Sequence, residues 1–294
     1  MTRMPRVATT LTTLTVLTAL AGCGQSGMPL GVNARSMTAQ GPVIMAAGEL
    51  HKLGFNMARY RTVFAPHAHK VHLPRQAMLP TTADLRSEQA PVYDQGQLGS
   101  CTAFAIAKGF REFLQRKNGE QLVPLSALWF YYNERAEDGD TGEDAGSTLS
   151  EGFSVLSRKG CAVDTTWPYD IAKFTVKPPK AADATAAKNR IENPEQLSNL
   201  DDVRQALAGG QDVSFGFTVY DSFRNIGANG MMPVPKSSEN VLGGHAVTAV
   251  GYDDQKQVLI VRNSWSTKWG DKGYFYMPYK VFNRDADDIW TASK

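Results

Sequence analysis

The sequence predicts an α+β protein in which a helical half precedes a mostly stranded half. Apolar residues recur at helical spacing between about residues 101 and 208, whereas residues 213–277 contain short β-branched and aromatic runs. The chain has 294 residues, 42% hydrophobic and 20% charged, which suffices for a full core and excludes a disordered or fibrous protein. We therefore expect a helical lobe and a β lobe that meet at a cleft.

Helices and strands are assigned from periodicity and end signals. Leu200, Val203 and Leu207 lie at i, i+3 and i+7, between an Asn199 start and a glycine stop. The predicted helices are Cys101–Gln115, Ser126–Arg135, Thr148–Lys159 and Leu200–Ala208. The predicted strands are Val213–Val219, His245–Tyr252, Val258–Arg262 and Tyr274–Met277.

A cysteine stands at the start of the first helix. The stretch Val92–Ala107 is a Gly-rich turn that runs into an apolar helical pattern opened by Ser100 and Cys101. Ser100 is a good N-cap, and the free N–H groups and dipole of a first turn favour an anion. We therefore expect Cys101 to be a thiolate nucleophile. The alternative is a small buried hydrophobic residue inside a helix.

Two downstream residues complete a catalytic set. His245 stands at the head of an apolar run after two glycines, and Asn263 lies within the run V-R-N-S-W-S. Singly, each is more often structural. Together, His245 supplies a base for the Cys101 proton, and the Asn263 amide oxygen fixes the tautomer of that base without adding charge.

These residues resemble the papain family of cysteine peptidases from about Leu79 to the end of the chain. His245 and Asn263 follow Cys101 by 144 and 162 positions, close to the family spacing. By this resemblance Gln95 supplies the side-chain donor of the oxyanion hole, and Trp265 shields the Asn–His hydrogen bond. It implies a two-lobed fold with a β-barrel-like second lobe, and endopeptidase activity on peptides or proteins through a thioacyl-enzyme.

The same resemblance implies two substrate contacts and reveals two departures. Gly146 is expected to hydrogen-bond an extended peptide through its backbone, and Ala246 to line the main side-chain pocket. Leu98 stands where many members carry a disulfide cysteine, and Thr102 where they carry an aromatic residue. Neither position performs chemistry, so the departures bear on stability and pocket shape.

Charge is distributed unevenly along the chain. Residues 1–78 carry eight basic and one acidic side chain, whereas residues 79–294 carry 23 basic and 28 acidic ones. A basic N-terminal segment is therefore expected to dock on an acidic catalytic body. Nucleic-acid binding is not expected, because no aromatic interleaving or basic helix accompanies the charge.

Residues 1–23 have the pattern of an export signal. Two arginines precede an apolar run, which ends in Leu-Ala-Gly-Cys at Cys23. This ending resembles a bacterial lipobox, so we expect Cys23 to be lipidated and the protein to be exported and held at a membrane surface. The alternative is an ordinary cleaved signal and a secreted protein.

Residues 24–78 form a propeptide, by the same resemblance, or a stalk, ahead of a catalytic domain at 79–294. As a propeptide the segment is a possible inhibitor of its own enzyme. A helix is expected around Glu49–Val63. His67, His69 and His72 have no carboxylate or cysteine beside them, so a solvated loop is favoured over a metal site, and no cofactor or metal is expected. Protonation of histidines here is expected to alter docking near pH 6.

Three further expectations concern Cys161, an acidic segment and the alternative functions. Cys161 follows a helix that ends at Gly160 and is expected to be a buried free thiol, with no disulfide in the protein. The segment Glu134–Asp144 contains six acidic residues in eleven and reads as a solvated loop, possible also near the cleft. Two other functions remain open: a cell-wall amidase of the Cys/His type, and a non-catalytic binding module on the same fold.

Overall fold

The helical lobe is built on one helical segment that begins at Cys101. In the computed structural model, which describes residues 42–46, 48–76 and 78–292, this segment comprises α2 (Cys101–Ala103), a π-helical stretch (Phe104–Arg111) and α3 (Glu112–Lys117). All its residues up to Gln115 are buried. The segment is apolar over most of its circumference and is therefore the central helix of the lobe.

Other helices pack around this segment. Helix α4 begins at Ser126, whose hydroxyl accepts the Trp129 N–H, and α5 begins at a capping box formed by Thr148 and Glu151. The mostly aromatic run 128–131 of α4 is buried in the core. These helices are α4 (Ala127–Ala136), α5 (Leu149–Arg158) and α6 (Lys180–Ala186). A fourth helix, α7 (Leu200–Ala208), packs on the sheet of the second lobe.

The second lobe is an eight-stranded sheet in the order β3-β5-β10-β6-β7-β8-β9, with β4 also paired to β7. All the pairs are antiparallel except β3 with β5. A further helix, α8 (Tyr279–Asp285), joins β9 to β10. The strands are β3 (Lys70–Val71), β4 (Thr82–Asp84), β5 (Pro194–Leu197), β6 (Val213–Tyr220), β7 (Val241–Asp253), β8 (Val258–Arg262), β9 (Tyr274–Pro278) and β10 (Ala286–Ala292).

The elements predicted between residues 101 and 277 are confirmed, with one notable difference at a boundary. Strand β7 begins at Val241, four residues before its predicted start at His245. Glycines disfavour a strand, so Gly243 and Gly244 were expected to lie outside it. They are nevertheless held in the ladder, because β6 pairs with β7 as far as Tyr220 opposite Val241.

The described part of residues 24–78, which we call the leader, lies on both lobes. It starts as a hairpin of β1 (Val43–Ala46) and β2 (Glu49–Lys52), continues extended to Asn56, and then turns through α1 (Met57–Arg59), a π-helical turn (Tyr60–Phe64) and a 3₁₀ turn (Ala65–His67). The predicted helix around Glu49–Val63 is therefore wrong in its first half. Pairing with β1 and burial of the extended segment outweigh the local helical preference there.

Ion pairs hold the leader to the body, as its charge predicts. Arg61 pairs with Asp287 at 2.8 Å, and His72 Nδ1 lies 3.1 Å from Asp202 Oδ2. Arg59 pairs with Glu151 in α5. The prediction that a basic segment docks on an acidic body is confirmed for the described residues.

Within the described ranges, no helix has both the length and the apolar character needed to cross a bilayer. The export signal and Cys23 lie outside these ranges.

Candidate active site

Cys101 lies at the first turn of the central helix, facing the β lobe. Its side chain is fully buried, and its Sγ accepts the Ala246 N–H at 3.4 Å. Ser100 precedes the helix but its side chain does not cap it, contrary to expectation. The Ser100 hydroxyl instead bonds the Tyr169 hydroxyl at 2.7 Å, which ties the start of the helix to the loop that carries Tyr169.

His245 and Asn263 meet at one end of the β7–β8 pair. Thr248 lies opposite Arg262 in that ladder, so both side chains sit just beyond it. The His245 Nε2 lies 2.8 Å from Asn263 Oδ1, which also accepts the Ser264 N–H at 2.8 Å. Because Oδ1 accepts the Ser264 N–H, the orientation of the Asn263 amide is fixed. Nε2 must then be the donor to Oδ1, so His245 carries its proton on Nε2. Its Nδ1 is buried without a hydrogen-bond partner among the described residues and has a free lone pair.

Aromatic rings enclose this histidine. The Trp265 ring lies 4.9 Å from that of His245 between centroids, and Trp265 is 1% exposed. Phe217, opposite His245 in the β6–β7 ladder, and Phe223 lie at 6.0 and 6.4 Å. Water is thus kept from the His245–Asn263 bond, as the sequence resemblance implies for Trp265.

Gln95 presents its amide to the same cleft. Its Nε2 donates to the Leu98 carbonyl at 2.9 Å and to the Lys52 carbonyl of the leader at 3.0 Å. Its Oε1 accepts the Ser264 hydroxyl at 2.6 Å, and this bond aims the NH₂ group into the cleft. Sequence reasoning missed Ser264, for which the one available signal was its position beside Asn263.

The leader passes through this cleft as an extended chain. Its Gly54 carbonyl accepts the Ser147 N–H at 3.0 Å, and its Asn56 N–H donates to the Ser147 carbonyl at 2.8 Å. On the other wall, the Phe55 N–H donates to the Gly244 carbonyl at 3.0 Å. The leader thus occupies the groove through a ladder of backbone hydrogen bonds on both sides.

Close approach to the leader explains the conformation of Gly146. Its φ is +72°, and a Cβ there would lie 2.1 Å from the Gly54 carbonyl oxygen. Its N–H donates to the Tyr131 hydroxyl at 3.0 Å. On this wall of the groove, the backbone hydrogen bonds to the leader are made by Ser147, and substrate binding by Gly146 stays a prediction.

Ala246 is buried opposite Gly216 in the β6–β7 ladder. The Phe55 ring of the leader lies on Gly216, where a Cβ would stand 2.3 Å from that ring. The pocket that receives the Phe55 side chain of the leader therefore lies beside Ala246. Whether Ala246 also lines a substrate pocket stays a prediction.

Burial shifts the pKa values of Cys101 and His245 toward their neutral forms. It raises the pKa of Cys101 to about 12, although hydrogen bonds from the Ala246 and Gly54 N–H groups oppose it. Burial also lowers the pKa of His245 to about 4, against the effect of the Asn263 hydrogen bond. With the leader docked, burial thus favours the neutral thiol and imidazole, against the helix start, which favours the thiolate.

Each departure from the family pattern has a structural consequence. Leu98 is buried in the core. The Thr102 hydroxyl donates to Glu134 at 2.8 Å, and burial raises the pKa of that carboxyl well above its usual range. Cys161 is a buried free thiol, as predicted.

A thiol, an amide-oriented imidazole and an amide donor in one cleft define a cysteine-dependent hydrolase. Residues 79–286 match the family model described as papain family cysteine protease. The chain therefore belongs to the papain family. It is a cysteine endopeptidase, a hydrolase that acts on peptide bonds.

Individual relatives agree with this assignment. An uncharacterized peptidase C1-like protein of Acanthamoeba polyphaga mimivirus is 38% identical over 67% of this chain and 68% of its own length. A cathepsin L-like peptidase of Aedes aegypti is 32% identical over 72% of this chain and 62% of its own length. Among solved structures, xylellain, a cysteine protease from Xylella fastidiosa, has a TM-score of 0.74 and 30% identity, over 82% of this chain and 96% of that one.

Proposed function

We propose that the endopeptidase reaction is covalent acyl transfer carried by Cys101 and His245. His245 Nδ1 takes the thiol proton, Cys101 Sγ attacks the peptide carbonyl carbon, and the imidazolium then protonates the leaving amine. Water hydrolyses the resulting thioester with His245 as base. The observation that carries this proposal is the Nε2 contact with Asn263 at 2.8 Å, which leaves Nδ1 as the basic atom.

In this proposal Gln95 stabilises the oxyanion together with the Cys101 N–H. A side-chain amide is a suitable donor because it carries no charge and is already oriented before the oxygen becomes negative. With the leader docked, this donor is occupied by the Lys52 carbonyl, which accepts from Gln95 Nε2 at 3.0 Å.

The leader acts in this proposal as an inhibitor of its own catalytic domain. Its backbone fills the groove, and the Gly54 N–H lies beside the Cys101 sulfur. The docked leader thereby blocks both that sulfur and the Gln95 amide from a substrate. Activity then requires that the leader leave the cleft, by cleavage or by undocking.

Hydrolysis of an unfolded protein and of a peptidoglycan preparation tests the reaction class. We expect the full-length chain to cleave the protein slowly, and Cys101→Ala to be inactive on it. Cleavage of peptidoglycan stem peptides alone would favour a cell-wall amidase. Protein cleavage that persists in Cys101→Ala would contradict the proposed nucleophile.

We also propose that the protein belongs to a bacterium, is exported, and is anchored by lipid on Cys23. The run Leu-Ala-Gly-Cys after an apolar stretch supports this. A bacterial host that expresses the wild type should then hold the protein in its membrane fraction, and Cys23→Ser should release it. Equal partition of the two forms would refute lipid anchoring at Cys23.

A further inference from the structure

A tyrosine joins the two ends of the turn that precedes the nucleophile. The Tyr169 hydroxyl donates to the Gln95 carbonyl at 2.8 Å. The same hydroxyl lies 2.7 Å from the Ser100 hydroxyl. A phenol has one proton to donate, so with that proton on the Gln95 carbonyl the serine must be the donor in the second bond. The hydrogen bonds therefore run in one direction, from Ser100 through Tyr169 to Gln95.

These bonds span the two groups proposed to hold the oxyanion. One group is the side-chain amide of Gln95, and the other is the Cys101 N–H, which belongs to the peptide unit that joins Ser100 to Cys101. Residues 96–99 between them form neither helix nor strand. The distance between the two donors is therefore set by contacts from outside this turn.

Tyr169 is itself held firmly by the helical lobe. Its ring packs edge-on against Phe104 of the central helical segment, with 5.0 Å between centroids. The Trp167 carbonyl of the same loop accepts the Ser126 hydroxyl at the start of α4. Burial raises the pKa of the Tyr169 hydroxyl above its ordinary value, against the hydrogen bond with Ser100, so the hydroxyl keeps its proton.

Both partners of the Tyr169 hydroxyl belong to the catalytic domain, so these bonds do not depend on a docked leader. We infer that Tyr169 is a positioning residue that sets the distance between the two oxyanion donors. The inference rests on the proposed oxyanion role of Gln95 and adds a residue to it. Two donors stabilise a developing negative charge best when both already point at the position of the same oxygen.

The competing interpretation is that Tyr169 only stabilises the helical lobe. In that case its substitution would change the amount of folded enzyme and would affect every reaction of Cys101 alike. Two reactions separate the interpretations, because only peptide hydrolysis makes a carbonyl oxygen negative. In alkylation by a peptidyl epoxide, the sulfur bonds to a ring carbon, the C–O bond of the ring breaks, and the ring oxygen takes a proton.

The experiment measures kcat/KM for a fluorogenic peptide and the second-order rate of labelling by a peptidyl epoxide, on full-length proteins. Both rates contain the same fraction of molecules with an undocked leader, so that fraction cancels in their ratio. The variants are Tyr169→Phe and Ser100→Ala, each alone and combined with Gln95→Ala. Tyr279→Phe is the matched control, because it also loses one hydroxyl hydrogen bond, at 2.7 Å to Asp254 in the turn at the far end of the β7–β8 pair.

We expect Tyr169→Phe to lower the ratio of hydrolysis to labelling about fivefold to tenfold, the effect of one hydrogen bond. Ser100→Ala should lower it about twofold to threefold, because the bond from Tyr169 to Gln95 remains. Tyr279→Phe should keep the wild-type ratio. In the Gln95→Ala background, both substitutions should change the ratio by less than about twofold, because the distance between two donors matters only while both are present.

Each other outcome counts against a definite claim. A wild-type ratio in Tyr169→Phe would overturn the inference, as would a loss of equal size with and without Gln95. If Tyr169→Phe does not fold, the same two results in Ser100→Ala overturn it. A wild-type ratio in Gln95→Ala would instead refute the proposed oxyanion role of Gln95, and an epoxide that fails to label the wild type at Cys101 would refute the nucleophile.

Discussion

Gln95 and Ser264 show how a single hydroxyl can orient a catalytic amide. An amide that is free to flip would offer its oxygen to the oxyanion half the time, which is repulsive. The 2.6 Å bond from the Ser264 hydroxyl to Gln95 Oε1 fixes the productive orientation. We therefore expect Ser264 to be a positioning residue, which acts through Gln95.

Substitution of each residue should show that Gln95 contributes more to kcat than Ser264 does. Gln95→Ala removes an oxyanion donor and should lower kcat about 10² to 10³-fold. Ser264→Ala leaves the donor but frees its orientation, and should cost about tenfold in kcat, the worth of one hydrogen bond. Ser266→Ala is the control, since its hydroxyl contacts the Lys268 N–H. Wild-type kcat in Gln95→Ala would refute its assignment to the oxyanion hole.

The residues proposed for the chemistry could be read from the sequence because each lies in a recognisable local pattern. Cys101 follows a Gly-rich turn, His245 follows two glycines, and Asn263 stands in a short run with serine and tryptophan. Ser264 could not be assigned a role in this way. Its role depends on Gln95, 169 residues away, and no local pattern encodes such a contact.

Among the structural elements, the extended part of the leader is the one that controls access to Cys101. It fits only because Gly54 has no side chain. A Cβ there would lie 1.9 Å from the Gly99 carbonyl oxygen, which is rigid backbone. Docking of the leader in the cleft therefore requires glycine at position 54, and Gly54→Ala should prevent docking.

Acid should loosen the leader through His51. This ring stacks on Trp265 at 4.8 Å, and its Nδ1 lies 3.6 Å from Asp94. Burial lowers the pKa of His51 below 6.5, although Asp94 and Glu49 oppose the shift. The docked leader therefore binds this proton less readily than the free one, so docking is strongest above about pH 6.5 and weakens as the pH falls below it.

A His51→Phe variant tests this dependence, because phenylalanine keeps the stacking ring and cannot be protonated. The ratio of wild-type to variant labelling rates at Cys101 should rise as the pH falls from about 7 to 5. His51 also lowers the pKa of His245 while the leader is docked. Labelling requires an undocked leader, in which His51 no longer lies near His245, so the titration of Cys101 and His245 is the same in both proteins and cancels in the ratio. A ratio that stays constant over this range would exclude His51 as the sensor.

Element boundaries were less predictable than the elements themselves. The extension of β7 to Val241 depends on its pairing with β6. Strand β2 forms because it pairs with β1 and because the chain that follows it is buried in the cleft. The intrinsic conformational preferences of the residues oppose both of these strand segments. Conversely, α7 was predicted to the residue, because its asparagine start and glycine stop are local signals.

At the scale of the whole molecule, the two lobes and the leader each contribute a different part of the cleft. The helical lobe supplies Cys101, and the β lobe supplies His245 and Asn263. The leader joins both, through the cleft and through β3 at the edge of the sheet. The division of charge between residues 1–78 and 79–294 allowed this docking to be predicted, but not its path across the nucleophile.

The most direct test is the rate at which a peptidyl epoxide labels Cys101, followed by intact mass on full-length proteins. Wild type should label slowly, Gly54→Ala at least tenfold faster, and Cys101→Ala not at all. Gly142→Ala is the matched control, since a Cβ there meets nothing within 4 Å, and it should behave as wild type. Equal rates in wild type and Gly54→Ala would contradict a leader that closes the cleft, and labelling of Cys101→Ala would contradict the nucleophile.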